Sequence, residues 1–238
     1  MALPDAKPFH ASQIKTLAGQ VEQEIERQIL SGEIEAGNRV NEVTVAKALG
    51  VSRGPVREAL QGLSHTGLVR IVANKGAVVR EIGVADAIDL YDLRAVVWAA
   101  MAERLARVRD REQLAVLKAN IDAMAGAIGA RDLEDYYRLN LEFHDNIVAF
   151  AGMQRAAAVY RGLVKEMHLF RRRGLLRDVP TLEDSLAEHR VLLDAIERGD
   201  APAAFDAAKG HVTAGKERFL ATIESIGASS PESGPESG

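Results

Sequence analysis

Asn140 and His144 are four residues apart, one helical turn, so in a helix their side chains leave the same face. His189 lies 10 residues before Gly199, and His211 lies 11 after Asp200. If Gly199 and Asp200 form a tight turn between antiparallel helices, both histidines sit about 15 Å from it and face each other at one level. One amide and three imidazoles from three helices make a nitrogen and oxygen site for a borderline divalent metal, zinc or nickel for example. The competing reading makes each histidine a hydrogen-bonded core or surface residue, and spacing alone leaves both open. His10, His65 and His168 are expected to be of that ordinary kind, although His168 could line a pocket.

A second group could read DNA. Val56, Leu60 and Leu63 have helical spacing and turn one face inward. That leaves Arg53, Gly54 and Arg57 outward near the start of the same helix. Arginine pairs bidentately with guanine in the major groove, and a glycine allows close approach. Just upstream, Ala46 and Leu49 supply an inward face, Gly50 a turn and Val51 a corner plug, which is helix-turn-helix spacing. Lys75 and Gly76 at a hairpin tip would form a wing, a cation beside permissive backbone near phosphates or the minor groove.

These residues need particular elements behind them. Val21, Ile25, Ile29 and Leu30 predict a first helix stopped by Gly32. A second spans 42–49, ended by Gly50. A third spans about 54–66, with the Ser52 hydroxyl as N-cap. Short strands at 68–72 and 77–80 flank Asn74, Lys75 and Gly76. From Val84 onward about six helices are expected, with breaks at Asp110, 129–132, Gly152, Pro180 and 199–200. Thr181 with Asp184 resembles a capping box, and Asp200 before Ala201 and Pro202 marks another helix start. The expected organisation is a flexible arm (1–13), a DNA-reading unit (14–80), an all-helical unit (84–226) and a disordered Ser/Pro/Gly/Glu tail (227–238). The arginines at 171–173 are expected to be a solvated helix end.

Composition narrows the classes. Of 238 residues, 47% are hydrophobic and 27% charged, too apolar for a wholly disordered chain and too mixed for a fibre. The absence of cysteine excludes disulfide scaffolds, thiolate zinc sites and cysteine nucleophiles. Net charge is −4, with +2 over residues 1–80 and −6 over the rest, which points to two parts with two partners. Residues 1–18 lack the apolar stretch of a secretory signal, and no run of 18 apolar residues exists, so a cytoplasmic protein without a membrane span is expected.

The stretch VEQEIERQILSGEIEAGNRVNEVTVAKALGVSRGPVREALQGLSHTGLVRIVANKGAVV resembles the winged-helix domain of the GntR family of bacterial transcription regulators. The resemblance covers roughly 14–80. It implies that Arg53 and Arg57 contact bases or phosphates, that Ser52, Gly54 and Pro55 sit against the DNA backbone, and that Gly76 lies in the wing. Val43 stands where many relatives carry a DNA-contacting arginine; Glu42 before it fits the pattern.

Residues 84–226 resemble the FCD effector domain of the FadR branch of that family, through DLRAVVWAAMAERLA, LNLEFHDNIV, EHRVLLDAIERGD and HVTAGKERF. About six helices resemble its shorter, VanR-like group. The resemblance implies a metal held by Asn140, His144, His189 and His211, with a neutral Asn where many relatives have Asp. It also implies a small organic carboxylate beside the metal, with Arg94 as the pocket arginine that pairs it. The alternative for Arg94 is a surface ion pair with Asp92. Trp98 occupies a place where relatives often carry glutamate; it either packs core or dimer or reshapes the pocket. The run Tyr91, Val97, Met101, Leu105 and Val108 is core or, as in the family, part of a homodimer surface.

The expected protein is mainly α, a winged helix-turn-helix followed by an all-α bundle. Its expected function is ligand-responsive transcription regulation: a homodimer on a palindromic operator, with repression relieved by inducer as the family's commoner outcome. Two rivals stand beside it. One is a DNA-binding dimer whose back domain is purely structural. The other is a metal hydrolase using the same Asn/His cluster, opposed by the lack of a carboxylate placed as general base.

Overall fold

The computed structural model describes residues 16–171 and 179–228. The predicted arm over 1–13, His10 and almost all of the predicted tail lie outside the described residues, as do the side chain of His168 and those of the arginines at 171–173. The chain divides into two compact units, Met1–Glu81 and Ile82–Gly238.

In the first unit, Val21, Ile25 and Ile29 recur every four residues and give α1 (Leu17–Ser31) one buried face. The Thr16 hydroxyl caps its start, and Gly32, at φ 75°, ends it in the left-handed conformation. The Asn41 side chain accepts the backbone N–H groups of Val43 and Thr44 at the head of α2 (Glu42–Leu49). Gly50, at φ 66°, then turns the chain into α3 (Arg53–His65). Val56, Leu60 and Leu63 are buried as expected, and so are Ile25, Leu68 and Val79 of the same unit. Removing each such side chain from water contributes about 1.5–3 kcal/mol. Ala46 is buried, and Leu49 and Val51 are half-buried.

The sheet is antiparallel in the order β1–β3–β2: β1 (Arg39–Val40), β2 (Val69–Val72) and β3 (Gly76–Val79). Three local expectations need correction. A third strand, β1, pairs Arg39 with Val78; at two residues it is too short to show periodicity. Ser52 is the N-cap residue of α3, but its hydroxyl makes no cap hydrogen bond. Gly76 is the first residue of β3, opposite Val72, so the tip is the turn at 73–75, where Asn74 takes φ 61°.

The second unit contains α4 (Val84–Val108), α5 (Arg111–Ala130), α6 (Leu133–Phe150), α7 (Gln154–Arg171), α8 (Val179–Arg198) and α9 (Ala201–Ala228). Asp110, Asp132 and Asp200 accept N–H bonds at the starts of α5, α6 and α9. Because α8 already begins at Val179, Thr181 lies inside its first turn, and the predicted capping box is not the start. Alanines at 95, 99, 102 and 106 let α4 lie close to its neighbours, chiefly α9, with α7 and α8 also against it. This packing brings α4, α6, α8 and α9 around one buried polar cluster. No helix among the described residues is long and apolar enough to cross a membrane.

Candidate metal centre and nucleic-acid interface

His144 on α6, His189 on α8 and His211 on α9 come together in the interior of the second unit. Each can offer one ring nitrogen such that all three lie within 4.8 Å of one another. The Nε2 atoms of His144 and His189 are each 3.1 Å from Nε2 of His211. The turn that aligns His189 with His211 is the expected one: Gly199 adopts φ 72° and Asp200 caps α9. Asn140, one turn before His144, is half-buried and lines the adjacent cavity.

Support comes from outside the triad. His211 Nδ1 donates to Glu188 Oε2 at 2.7 Å. Arg218 grips the same carboxylate through both terminal nitrogens, at 2.7 and 3.0 Å. Burial opposes ionisation of Glu188, but the hydrogen bonds from His211 and Arg218 outweigh it and hold the carboxyl at about 2. With Nδ1 donating, His211 turns a lone pair at Nε2 toward the other two rings. Burial pushes His189 well below the ordinary imidazole range, and nearby His211, Arg218 and Arg94 push it the same way. Burial also lowers His211, against the opposing pull of Glu188.

A divalent metal fits this donor set. Tetrahedral zinc with nitrogens about 2.0–2.1 Å away would place those nitrogens about 3.3–3.4 Å apart, close to the spacing seen. Without a cation, the His144 and His189 Nε2 groups crowd one lone pair of His211. Burial favours the neutral imidazole at His189 and His211, the protonation state a metal needs.

Trp98 is fully buried and stacks on the His144 ring at 4.1 Å between centroids, its Nε1 donating to the His144 carbonyl at 3.4 Å. It is therefore a wall of the cluster. Arg94, one turn earlier on α4, is buried; its expected alternative partner, Asp92, pairs with Lys216. Arg94 Nη2 donates to His144 Nδ1 at 3.2 Å, and its Nε donates to the Tyr160 hydroxyl on α7 at 3.4 Å. Arginine only donates, so His144 Nδ1 accepts in this arrangement. For His144 to offer Nε2 to a metal, the proton moves to Nδ1 and Arg94 turns its N–H away. A cavity of about 90 Å³ opens beside Arg94, His144, Asn140, Asp145 and Tyr160. Burial raises the Asp145 carboxyl, against the pull of Arg161.

In the first unit, Arg53 and Arg57 project from the N-terminal turns of α3 with side chains 59% and 61% exposed. Gly54 between them is exposed, and a Cβ there would meet nothing within 4 Å. Ser52 is exposed, Pro55 is half-buried, and Lys75 is exposed in the hairpin turn before Gly76. Val43, the departure from the family pattern, is 56% exposed.

Glu42, Tyr160, Glu188 and Arg218 escaped the sequence reading as site residues. The adjacency of Glu188 to His189 was a usable signal for one of them. The others meet their partners across separations of 11 to 66 residues, which no local spacing encodes.

Residues 17–79 match the bacterial regulatory proteins of the gntR family, and residues 89–214 match the FCD domain. The gluconate operon transcriptional repressor of Bacillus licheniformis is 28% identical over 74% of this chain and 74% of its own length. The HTH-type transcriptional repressor RspR of Escherichia coli is 27% identical over 81% of this chain and 84% of its own. Among solved structures, E. coli McbR/YncC superposes with a TM-score of 0.66 at 20% identity, covering 87% of this chain and 99% of that one, a likeness of fold. The chain therefore belongs to the GntR family of bacterial transcriptional regulators, a DNA-binding regulator rather than an enzyme, in which a gntR-type domain is followed by an FCD domain.

Proposed function

We propose that the protein is a metal-dependent, ligand-responsive repressor working in the cytoplasm as a homodimer. Residues 14–80 bind operator DNA through Arg53 and Arg57 at base edges or phosphates. Ser52, Gly54 and Pro55 lie against the DNA backbone, and Lys75 and Gly76 act in the wing. Residues 84–226 dimerise and sense. One winged helix offers few base contacts, and a two-fold dimer doubles them on a palindromic site. His144, His189 and His211, with Asn140, hold a divalent metal, zinc or another transition metal such as nickel. The metal supplies a Lewis-acidic anchor for a carboxylate. Arg94 pairs the same carboxylate with a bidentate fork.

The observation that carries this reading is the convergence of three buried histidines beside a small cavity that also receives a buried arginine. Effector binding then shifts the placement of the DNA heads through its differential affinity for two states. A coupling of this kind typically changes operator affinity about 5- to 150-fold.

The test is elemental analysis of the purified chain before and after chelation, joined to thermal shift against a panel of small carboxylates. About one metal per chain, with carboxylate stabilisation lost on chelation, is the expected result. Carboxylate stabilisation without metal would move the effector to Arg94 alone. No response to either would leave a DNA-binding dimer with a structural back domain.

A further inference from the structure

Both outward arginines of α3 are held by one carboxylate. Glu42, the first residue of α2, has Oε2 at 3.1 Å from Arg53 Nη2 and 3.2 Å from Arg57 Nη2, with Oε1 at 3.5 Å from Arg57 Nε. Glu42 is itself anchored, since Asn41 caps the helix it opens. Its side chain is 26% exposed, far less than those of the arginines it holds. The next residue, Val43, adds no charge.

Two effects follow. Arg53 and Arg57 are like charges one helical turn apart and repel each other; a carboxylate between them cancels that and limits both forks to a narrow set of directions. A guanidinium has five N–H donors, so a contact to Glu42 leaves most of each fork free for a base edge. The second effect opposes binding. A carboxylate at a DNA-facing surface repels phosphates and lowers the sequence-independent attraction that two free arginines would exert. Stability does not account for the arrangement, because exposed ion pairs contribute little.

We propose that Glu42 is a positioning residue for specificity: it aims Arg53 and Arg57 at base edges and penalises their use on phosphates. This rests on the reading that α3 meets DNA, and the experiment separates the two. The full-length chain first selects duplexes from a random library. Binding of the selected duplex and of a scrambled duplex is then titrated over a salt series for the unaltered chain, Glu42→Gln and Glu42→Asp, each checked for an unchanged melting curve. Glu42→Gln is expected to bind scrambled DNA about 3- to 10-fold more tightly, with a salt slope steeper by about one. Its selected-to-scrambled affinity ratio should fall about tenfold or more, equivalent to the loss of one good base contact. Glu42→Asp keeps the charge but reaches less far; its ratio should fall without the gain on scrambled DNA. If Glu42→Gln strengthens both duplexes equally, or Glu42→Asp keeps the full ratio, Glu42 is only a surface charge and the inference is overturned. If the unaltered chain enriches no duplex, the DNA-reading assignment fails, and this inference with it.

Discussion

His211 is the hinge of the buried cluster, because its two ring nitrogens face opposite demands. Nδ1 is committed to Glu188, and Nε2 is shared with His144 and His189. Glu188→Gln keeps the shape but replaces the charged acceptor, which weakens control of the tautomer. Such outer partners typically cost 10- to 100-fold in metal affinity, and competition with a chromophoric chelator should show a loss of about that size. Arg94→Ala should retain metal, because the arginine sits on the far nitrogen of His144, while the thermal response to carboxylates disappears. An unchanged response would remove Arg94 from the effector site. The histidines also set a pH dependence. In the chelated protein, His189 and His211 have folded pKa values below that of the unfolded chain, so the unfolded state takes up their protons first as pH falls. Stability is then full above about 6.5 and declines below it, by up to about 1.4 kcal/mol per pH unit for each histidine. Glu188 acts in a separate window: its carboxyl is depressed to about 2, so its contribution is lost only as pH falls from about 4.5 toward that value. Urea midpoints at pH 7.5 and 5.5 therefore isolate the imidazoles. Replacing His189 by Leu should shrink the difference between them, and an undiminished difference would place the titration elsewhere.

At the scale of elements, the turn between α8 and α9 decides whether His189 and His211 meet. Gly199 there is left-handed, and a Cβ would come within 2.9 Å of the Arg109 side chain. That side chain is flexible and can yield, so the main cost of Gly199→Ala is backbone strain, about 1–2 kcal/mol. The urea midpoint should fall accordingly with an unchanged m-value, and no change would mean the turn relaxes freely. This turn was legible in the sequence because glycine and aspartate carry their roles locally, as did the helix pattern that buries Val56, Leu60 and Leu63. The meeting of His189 and His211 followed from counting turns on either side of it. Other parts were not legible. A two-residue strand has no period, so β1 exists only through its pairing with β3. Ser52 is a favoured N-cap type, yet it makes no cap bond, since preference does not fix a hydroxyl rotamer. Trp98 could have been core, dimer or pocket, and the packing of α4 on α6 puts it in the core, stacked on the His144 ring. Glu42 and Tyr160 act through partners on other helices, a property of the assembled unit.

For the whole molecule, the proposed two-fold reading of an operator needs two copies, and the helical unit carries exposed apolar residues that a second copy would cover. On α4, Leu93 and Val96 are 50% and 48% exposed, three residues apart on one face, while Tyr91, Met101 and Leu105 of the same helix are buried. The core therefore leaves about half of Leu93 and of Val96 uncovered, and burying the remainder in a dimer would recover about half of the ~1.5–3 kcal/mol of a full side-chain burial for each. Leu93→Asp should place a charge in that interface, where it is unpaired and desolvated. If the proposed dimer forms through this face, sedimentation should then show a monomer at concentrations where the unaltered chain is a dimer, with a melt that stays cooperative because the core is untouched but falls by the lost dimer contact. The consequence at DNA is the stronger test. A monomer keeps Arg53 and Arg57 but loses simultaneous engagement of two half-sites. Its affinity for a full palindrome should fall to that of the unaltered chain for a single half-site, while its affinity for the half-site stays the same. If Leu93→Asp remains a dimer, the two-fold contact lies on another face. If it becomes a monomer and still binds the palindrome at full strength, the operator is read by one head, and an effector could not act by moving two heads relative to each other.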